Sequence, residues 1–329
     1  MGHTLKTAAA VLAVLAAAGA GGAWWGHDQF TRPGPSTADI TVIIERGAGI
    51  DGIAGALARA GVLEDPLVFR IAARWITADN PLKAGEYAFA AGISARGALE
   101  LLQSGKTVVR RLTVIEGLTT AEIVAQLQTT EGLTGLVTPA PPEGGLLPET
   151  YHFSFGDRRR AIIGRMRDAM DALMANLWRN KAPGVALQSP REALILASIV
   201  EKETAVPAER PRIAAVFLNR LARGMRLQSD PTVVYGLTQG RRPLGRPLGR
   251  DDLKAPSPYN TYLIDGLPPG PICNPGSASL EAVLRPGETD DLYFVADGSG
   301  GHVFAATLAE HNRNVAKWRR LNKETDGRR

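Results

Sequence analysis

Cysteine is nearly absent from this 329-residue sequence, which contains only Cys273. A single cysteine can form no internal disulfide, so a disulfide-stapled fold is excluded, and we expect Cys273 to be a small buried apolar residue. The five histidines are scattered and form no Cys/His cluster with metal-ligand spacing. The sequence therefore predicts neither a metal site nor a cofactor.

Motifs of nucleic-acid-binding proteins are also missing. The net charge of +5 and the pI near 9.5 would suit a polyanionic partner. No zinc-finger or RNP-type pattern accompanies that charge, so we expect no nucleic-acid partner. If the protein body is exported, a polyanion of the cell envelope is the better candidate.

Charge is absent from one long stretch, residues 7–25, which reads TAAAVLAVLAAAGAGGAWW. Its length is close to the roughly 20 residues that cross a bilayer. Lys6 precedes it, and Trp24 and Trp25 suit the far interface, so we predict a single-pass inner-membrane protein with its body in the periplasm. A cleaved signal peptide is the alternative, because Ala16–Ala20 offers small-residue cleavage sites. The length of the run favours a retained anchor.

One pattern occurs three times after the anchor: a glycine, an apolar residue six positions later and a leucine ten positions later. The copies are Gly47/Ile53/Leu57, Gly92/Ala98/Leu102 and Gly117/Ile123/Leu127. The pattern predicts a strand, a glycine turn and a short helix, and hence small α+β modules. These modules resemble the LysM-like domain of bacterial cell-wall enzymes, and generic α+β packing is the alternative. Glycan binding by this region is a hypothesis.

Residues 189–203, SPREALILASIVEKE, predict an apolar helix that ends in carboxylates. Ser189 and Glu192 have the spacing of a capping box, with proline at the first helical position. Glu201 shares a helix face with small residues such as Ala197, where a ligand could approach. Without a basic neighbour, it would keep its proton to higher pH, as a general acid requires. The alternative is the solvated end of an amphipathic helix.

Segments rich in Tyr, Asn, Gly and Pro follow, as is typical of loops that line polar sites. Asp230 and Pro231 predict the N-cap and first residue of a further helix. The three segments expected to be loops are SPYNTY (257–262), GLPPGPICNPG (266–276) and YFVADGSGGHVF (293–304).

Together with ASIVEKET (197–204) and RLQSDPTVVYG (226–236), these segments resemble the YceG-like family of endolytic murein transglycosylases. The resemblance covers nearly the whole chain and is weakest at RRPLGRPLGR (241–250), which we interpret as a loop. It implies that Glu201 is the catalytic glutamate. It also implies that five residues bind substrate: Gln228, Asp230, Tyr235, Asn260 and Tyr262. Structural roles are their alternative, such as a helix cap for Asp230 and packing for Tyr235.

The predicted fold class is α+β, with an N-terminal membrane anchor, LysM-like modules and a mixed α+β catalytic domain. The predicted segments are a cytoplasmic tip (1–6), the anchor (7–26), a linker (27–38), the modules (39–137) and the catalytic transglycosylase domain (138–329). The partners implied by the resemblance are peptidoglycan glycan strands, the inner membrane and peptidoglycan synthases.

The implied reaction is lytic cleavage of the MurNAc–GlcNAc bond of nascent strands to give 1,6-anhydroMurNAc ends. Glu201 would serve first as acid and then as base, since the C6 hydroxyl of the sugar replaces water as nucleophile. A muramidase that hydrolyses the bond with Glu201 and either Glu203 or Asp230 is the first alternative. Glu203 points about 200° round a regular helix from Glu201, which disfavours that pair. A non-catalytic peptidoglycan-binding scaffold is the second alternative.

Overall fold

The structure, a computed structural model, describes residues 2–76 and 80–326. Three parts of the predicted segments lie outside the described residues: Met1 of the tip, residues 77–79 of the modules and residues 327–329 of the catalytic domain. The chain forms two compact units, Met1–Arg110 with His152–Asp157 and Arg111–Tyr151 with Arg158–Arg329.

The chain begins with a long exposed helix, α1 (Gly2–Thr31). Within it, Lys6–Thr31 is long and apolar enough to cross a membrane, and none of its apolar window is buried. The 26 residues extend about 39 Å at 1.5 Å per residue, more than the roughly 30 Å hydrocarbon core of a bilayer. The helix is compatible with a single-pass anchor, although a signal sequence has the same properties.

The rest of the first unit packs three helices with one strand pair. Strands β1 (Ile40–Ile44) and β2 (Gly85–Phe89) are antiparallel, with Val42 opposite Tyr87. The helices are α2 (Ile50–Arg59), α3 (Pro66–Ile76) and α4 (Ala95–Ser104). Strands and helices share one apolar core, which includes Ile44, Leu57, Phe69, Tyr87, Phe89 and Leu102.

The three glycine-centred copies fold as predicted. Gly47, Gly92 and Gly117 have φ of 83°, 67° and 79°, a conformation that glycine adopts without strain. They follow β1, β2 and β3 (Arg110–Thr113) and precede α2, α4 and α5 (Thr120–Thr129). The apolar residues six and ten positions on are buried in every copy. The strand–turn–helix prediction is confirmed, and the LysM-like character stays a prediction. The third copy belongs to the second unit.

The second unit is built around one buried helix, α7 (Pro190–Glu203), in which Ile195 to Val200 are all buried. Ser189 caps it by accepting the Glu192 N–H at 3.2 Å, as the sequence predicts. The other elements are β4 (Thr150–Phe153), α6 (Arg159–Arg179), α8 (Arg210–Ala222), α9 (Asp230–Thr238), α10 (Ser277–Leu284), β5 (Tyr293–Ala296), β6 (His302–Ala305) and α11 (Leu308–Asp326). Because α6, α8 and α10 pack on α7, its apolar residues have no solvated face.

Two local predictions need correction. The segment 293–304 is not a loop, because β5 and β6 pair as an antiparallel hairpin in which Phe294 faces Phe304. Phe294 also packs edge-on against Phe217 of α8, which favours extended strands over a loop. The N-cap of α9 is Ser229, and Asp230 is already helical. The segments 241–250, 257–262 and 266–276 contain no helix or strand, as expected.

Candidate active site

Helix α7 places Glu201 near its C-terminal end, with the side chain only 5% exposed. The small residues before it are buried and connect the helix to a loop. The Ser198 hydroxyl donates to the Ile195 carbonyl at 2.7 Å and accepts the Ile272 N–H at 3.0 Å. The carboxylate is therefore fixed by a rigid helix that is itself held by the loop 266–276.

The Glu201 carboxylate has two partners. Its Oε1 lies 3.4 Å from Nη2 of Arg210, and its Oε2 accepts the Gly276 N–H at 2.9 Å. The sequence alone guarantees no basic residue near Glu201, but the first turn of α8 brings Arg210 back against α7. A cation and a backbone donor both stabilise the negative carboxylate.

A second carboxylate, Glu116, contacts the same guanidinium and was missed in the sequence. Its Oε2 lies 3.6 Å from Nη2 of Arg210. Its carboxyl group also packs on Gly276, where an added Cβ would lie 1.8 Å from the Glu116 Oε1. Burial raises the pKa of Glu116, and the charge of Glu201 raises it further, while Arg210 lowers it. The sequence contained one indication of this role. Of the three copies of the glycine pattern, only this one has a carboxylate directly before its glycine.

Asn274 holds the turn that carries Glu116. The Gly117 N–H donates to the Asn274 carbonyl at 3.0 Å, and the Asn274 N–H donates to the Leu118 carbonyl at 2.9 Å. The Asn274 side chain is fully buried. It accepts the Leu146 N–H at 2.9 Å and donates to Oε1 of Glu143 at 3.1 Å. These bonds fix the loop 266–276 to the turn, so that Glu116 and Gly276 meet.

Glu203, two positions after Glu201, has different surroundings. Its carboxyl group makes a short hydrogen bond with the hydroxyl of Ser229, directly before α9. Burial raises the pKa of Glu203 to about 7, with the Ser229 bond opposing the rise and the charge of Asp230 adding to it. Near neutral pH this group is therefore present in both its protonated and its charged form.

Comparison with known proteins places the chain in a family. The model of the YceG-like family matches residues 42–317. The chain belongs to the YceG-like family. It is 32% identical over 319 residues to the endolytic murein transglycosylase of Bacillus subtilis (strain 168), covering 86% of each protein.

Further YceG-like relatives agree. The endolytic murein transglycosylase of Streptococcus pneumoniae serotype 2 is 33% identical over 325 residues, which is 84% of this chain. This chain spans 58% of that longer relative. The crystal structure of a yceG-like protein from Listeria monocytogenes superposes with a TM-score of 0.52 at 34% identity, covering 84% of this chain and 99% of that one.

In this YceG-like chain, two of the predicted binding residues meet beside Glu203. The Tyr262 hydroxyl donates to Oδ1 of Asp230 at 2.6 Å. Burial raises the pKa of Tyr262, and the hydrogen bond to Asp230 adds to the rise, so the tyrosine stays a donor at physiological pH. The Ser229 N–H donates to the hydroxyl of Thr261 at 2.9 Å, which holds the loop 257–262 against the start of α9.

Asn260 is fully buried within the loop 257–262. Its amide nitrogen donates to the carbonyls of Leu253 and Ala255 at 3.0 and 2.9 Å, and its Oδ1 accepts the Tyr262 N–H at 3.0 Å. These contacts shape the loop. The binding role that the family motif implies for Asn260 stays a prediction.

Tyr235 and Gln228 contact other residues of the loop 257–262, and the Gln228 N–H donates to the Thr261 carbonyl at 3.1 Å. The Tyr235 ring packs on Tyr259, with ring centres 4.8 Å apart, and its hydroxyl donates to Oε2 of Glu143 at 3.3 Å. Gln228 is exposed and has a φ of 51°, an uncommon conformation for a residue with a Cβ. Their binding roles also stay predictions.

Two cavities adjoin at Lys202. An open cavity of about 400 Å³ contains the carboxylates and is lined by residues including Glu116, Glu201, Glu203, Thr204 and Arg210. A second one, of about 410 Å³, is lined by residues including Asp230, Pro231, Val234, Tyr235 and Arg242. Lys202 lines both. A larger cavity of about 770 Å³ lies at the other end of α7, near Ser189, away from the carboxylates.

The side chain of Glu209 joins the hairpin β5–β6 to Thr204, which lines the carboxylate cavity. This carboxylate accepts the Thr204 hydroxyl at 3.1 Å, the His302 N–H at 2.7 Å and the His302 Nδ1–H at 2.8 Å. Burial raises the pKa of Glu209, but the hydrogen bonds from His302 outweigh it and the net shift is downward. The charged carboxylate thus ties the hairpin to the residue that follows Glu203.

Proposed function

We propose that the chain is an endolytic lytic transglycosylase that cleaves the MurNAc–GlcNAc bond of peptidoglycan, with Glu201 as general acid and base. One observation carries the proposal: Glu201 is fixed at the end of a buried helix, between Arg210 and the Gly276 N–H, on the wall of a 400 Å³ open cavity. The murein transglycosylase relatives support the substrate class.

The reaction needs two proton transfers at one carboxyl group. Protonated Glu201 gives its proton to the glycosidic oxygen as the bond from that oxygen to C1 of MurNAc breaks. The C6 hydroxyl of the same MurNAc then bonds to C1, and its proton returns to Glu201. No water is consumed, and the new end is a 1,6-anhydro sugar. Between the transfers Glu201 is an anion, which Arg210 and the Gly276 N–H stabilise.

The predicted binding residues fit beside this centre. Asp230 and Tyr235 line the adjoining 410 Å³ cavity, which suits a neighbouring sugar of the strand. Tyr262 is oriented by Asp230. Asn260 acts through the loop that it shapes, and exposed Gln228 contacts the strand directly.

The proposal includes the cellular location of the enzyme. Helix α1 anchors it in the inner membrane, with the residues that follow α1 in the periplasm beside the peptidoglycan synthases. The LysM-like modules, residues 39–137, hold the glycan strand. A membrane tether suits an enzyme that acts on strands as they are made.

The hydrolytic alternative needs a carboxylate on each side of the bond. Glu116 and Glu201 instead contact the same guanidinium nitrogen. Glu203 is bonded to Ser229 in a buried position. A single-carboxylate lytic reaction therefore accounts best for this arrangement.

Product analysis in isotopically labelled water tests the proposal. We expect unlabelled anhydro ends, lighter than reducing ends by one water, when the purified chain digests glycan strands. Glu201→Gln should lower turnover by at least about 100-fold with an unchanged melting profile, because the amide keeps its size but carries no acidic proton. Glu281→Gln, at an exposed ion pair with Arg285, is the matched control and should keep full activity.

Three outcomes would contradict the proposal. Labelled reducing ends as the main product would indicate a muramidase. Near-normal turnover by Glu201→Gln would exclude Glu201 as the acid. Binding of strands without any cleavage would favour the scaffold.

A further inference from the structure

Arg210 connects two carboxylates of unequal exposure. Its Nη2 lies 3.4 Å from Glu201 and 3.6 Å from Glu116, whose side chains are 5% and 40% exposed. Arg210 itself is 12% exposed, and its buried Nε has no hydrogen-bond partner among the described residues. Among the described residues, the guanidinium of Arg210 is thus shared by the two glutamates.

The position of Glu116 is built into the fold. Its carboxyl group fills the space beside Gly276, which any Cβ there would occupy. The paired backbone hydrogen bonds of Gly117 and Leu118 with Asn274 hold its turn. This arrangement places two like charges at one cation, which favours a proton on one of the two carboxyl groups.

We propose that Glu116 is a positioning residue that acts through Arg210 to keep a proton on Glu201 until the substrate takes it. This inference rests on the proposed role of Glu201. Glu116 does not touch the reacting atoms. Ionised Glu116 neutralises Arg210 while Glu201 is protonated. Arg210, whose Nη2 already lies 3.4 Å from Glu201, stabilises the Glu201 anion once that proton has left.

Charge counting explains the effect. With both carboxylates ionised, the cluster of Glu116, Arg210 and Glu201 has a net charge of −1. One bound proton makes it neutral, which a poorly solvated site favours. A lone Arg–Glu pair is neutral only when Glu201 is ionised.

The other groups around Glu116, Arg210 and Glu201 leave the net charge of this cluster unchanged. From α7, the exposed Lys202 directs its ammonium group to the Gly117 carbonyl at 3.3 Å. Glu203 faces the same cavity but is bonded to Ser229. From the start of α10, the Gly276 N–H donates to Oε2 of Glu201. Glu116 and Glu201 are thus the two carboxylates that share the guanidinium of Arg210.

The test is the pH dependence of turnover on glycan strands. Activity that needs protonated Glu201 falls as pH rises, and this fall defines the basic limb of the profile. Glu116→Gln leaves Arg210 to Glu201 alone, so we expect the limb to move to lower pH by about one unit. Arg210→Gln removes the stabilising cation, so the limb should move to higher pH. Glu116→Asp, which keeps the charge, should restore much of the wild-type profile, and Glu281→Gln should match it.

Opposite shifts from two variants distinguish proton control from a merely structural role, which would lower the rate without moving the limb. An unmoved limb in Glu116→Gln, or shifts of the same sign in both variants, would overturn the inference. If Arg210→Gln fails to fold, the contrast between Glu116→Gln and Glu116→Asp decides. Normal turnover by Glu201→Gln would instead refute the proposed function on which the inference depends.

Discussion

At the scale of single residues, two glutamates on one helix differ because of what surrounds them. Glu201 meets a guanidinium and a backbone N–H, whereas Glu203 is buried against a serine hydroxyl. Burial raises the pKa of Glu203 to about 7 from the usual 4.5. A charged Glu203 is thus poorly tolerated in the folded state, and pH should control stability through it.

We expect folding stability to fall as pH rises from about 4.5 to about 7, because in that range the unfolded chain has lost the Glu203 proton and the folded chain retains it. The loss is on the order of 3 kcal/mol. Glu203→Gln should remove this component while keeping a partner for Ser229. Urea unfolding of the full chain in detergent at pH 5 and pH 8 measures it, with Glu281→Gln as control. Equal pH dependence in wild type and Glu203→Gln would contradict this.

The sequence predicted Glu201 but not its neighbours. The apolar run, the helix cap and the family motif all converge on Glu201. Arg210 and Glu116 reach it only through tertiary packing: Arg210 by the reversal between α7 and α8, and Glu116 by the bonds of Asn274. No periodicity along the chain encodes contacts of this kind. The carboxylate directly before Gly117 was the one local hint.

At the scale of elements, the loop 266–276 and the start of α10 shape the site as much as α7 does. Gly276 is the N-cap of α10, with φ of −76° and ψ of 170°, values that alanine also adopts. The three atoms nearest to a Cβ there would all belong to the side chain of Glu116. Gly276 is therefore required for space beside Glu116 and not for backbone freedom.

Gly276→Ala should displace the Glu116 carboxylate and move the basic limb of the pH profile in the same direction as Glu116→Gln. Stability should change by less than about 1 kcal/mol, since a side chain and not the backbone gives way. In a Glu116→Ala background the same substitution should have little further effect, which a double-mutant cycle measures. Gly164→Ala, in an open position on α6, is the control. Additive effects of the two substitutions would show that the contact does not matter.

Helices were easier to predict than strands. The cap and apolar run gave the bounds of α7, and positive-φ glycines preceded the short helices. The hairpin β5–β6 was missed because its Gly-rich turn dominates a short segment. Its strands are specified by aromatic packing of Phe294 against Phe217 and Phe304, a tertiary contact.

At the scale of the whole molecule, the strand–glycine–helix motif has different roles in the two units. Two copies of the strand–glycine–helix pattern build the first unit, and the third belongs to the unit that contains Glu201. The residue before the turn glycine is Arg46 or Ala91 in the first two copies and Glu116 in the third. A repeat that serves packing in one unit therefore supplies a charged group to the candidate site in the other.

We expect α1 to be retained in the mature protein. Its apolar stretch, Lys6–Thr31, exceeds the 7–15 apolar residues of a usual signal peptide and is long enough to span a bilayer. The full-length chain should therefore fractionate with the inner membrane, resist extraction by high salt and alkaline carbonate, and dissolve in detergent. Intact mass analysis should give the unprocessed N-terminus. A soluble periplasmic chain that begins after about Ala20 would show instead that α1 is a cleaved signal, and that the enzyme reaches its substrate without a tether.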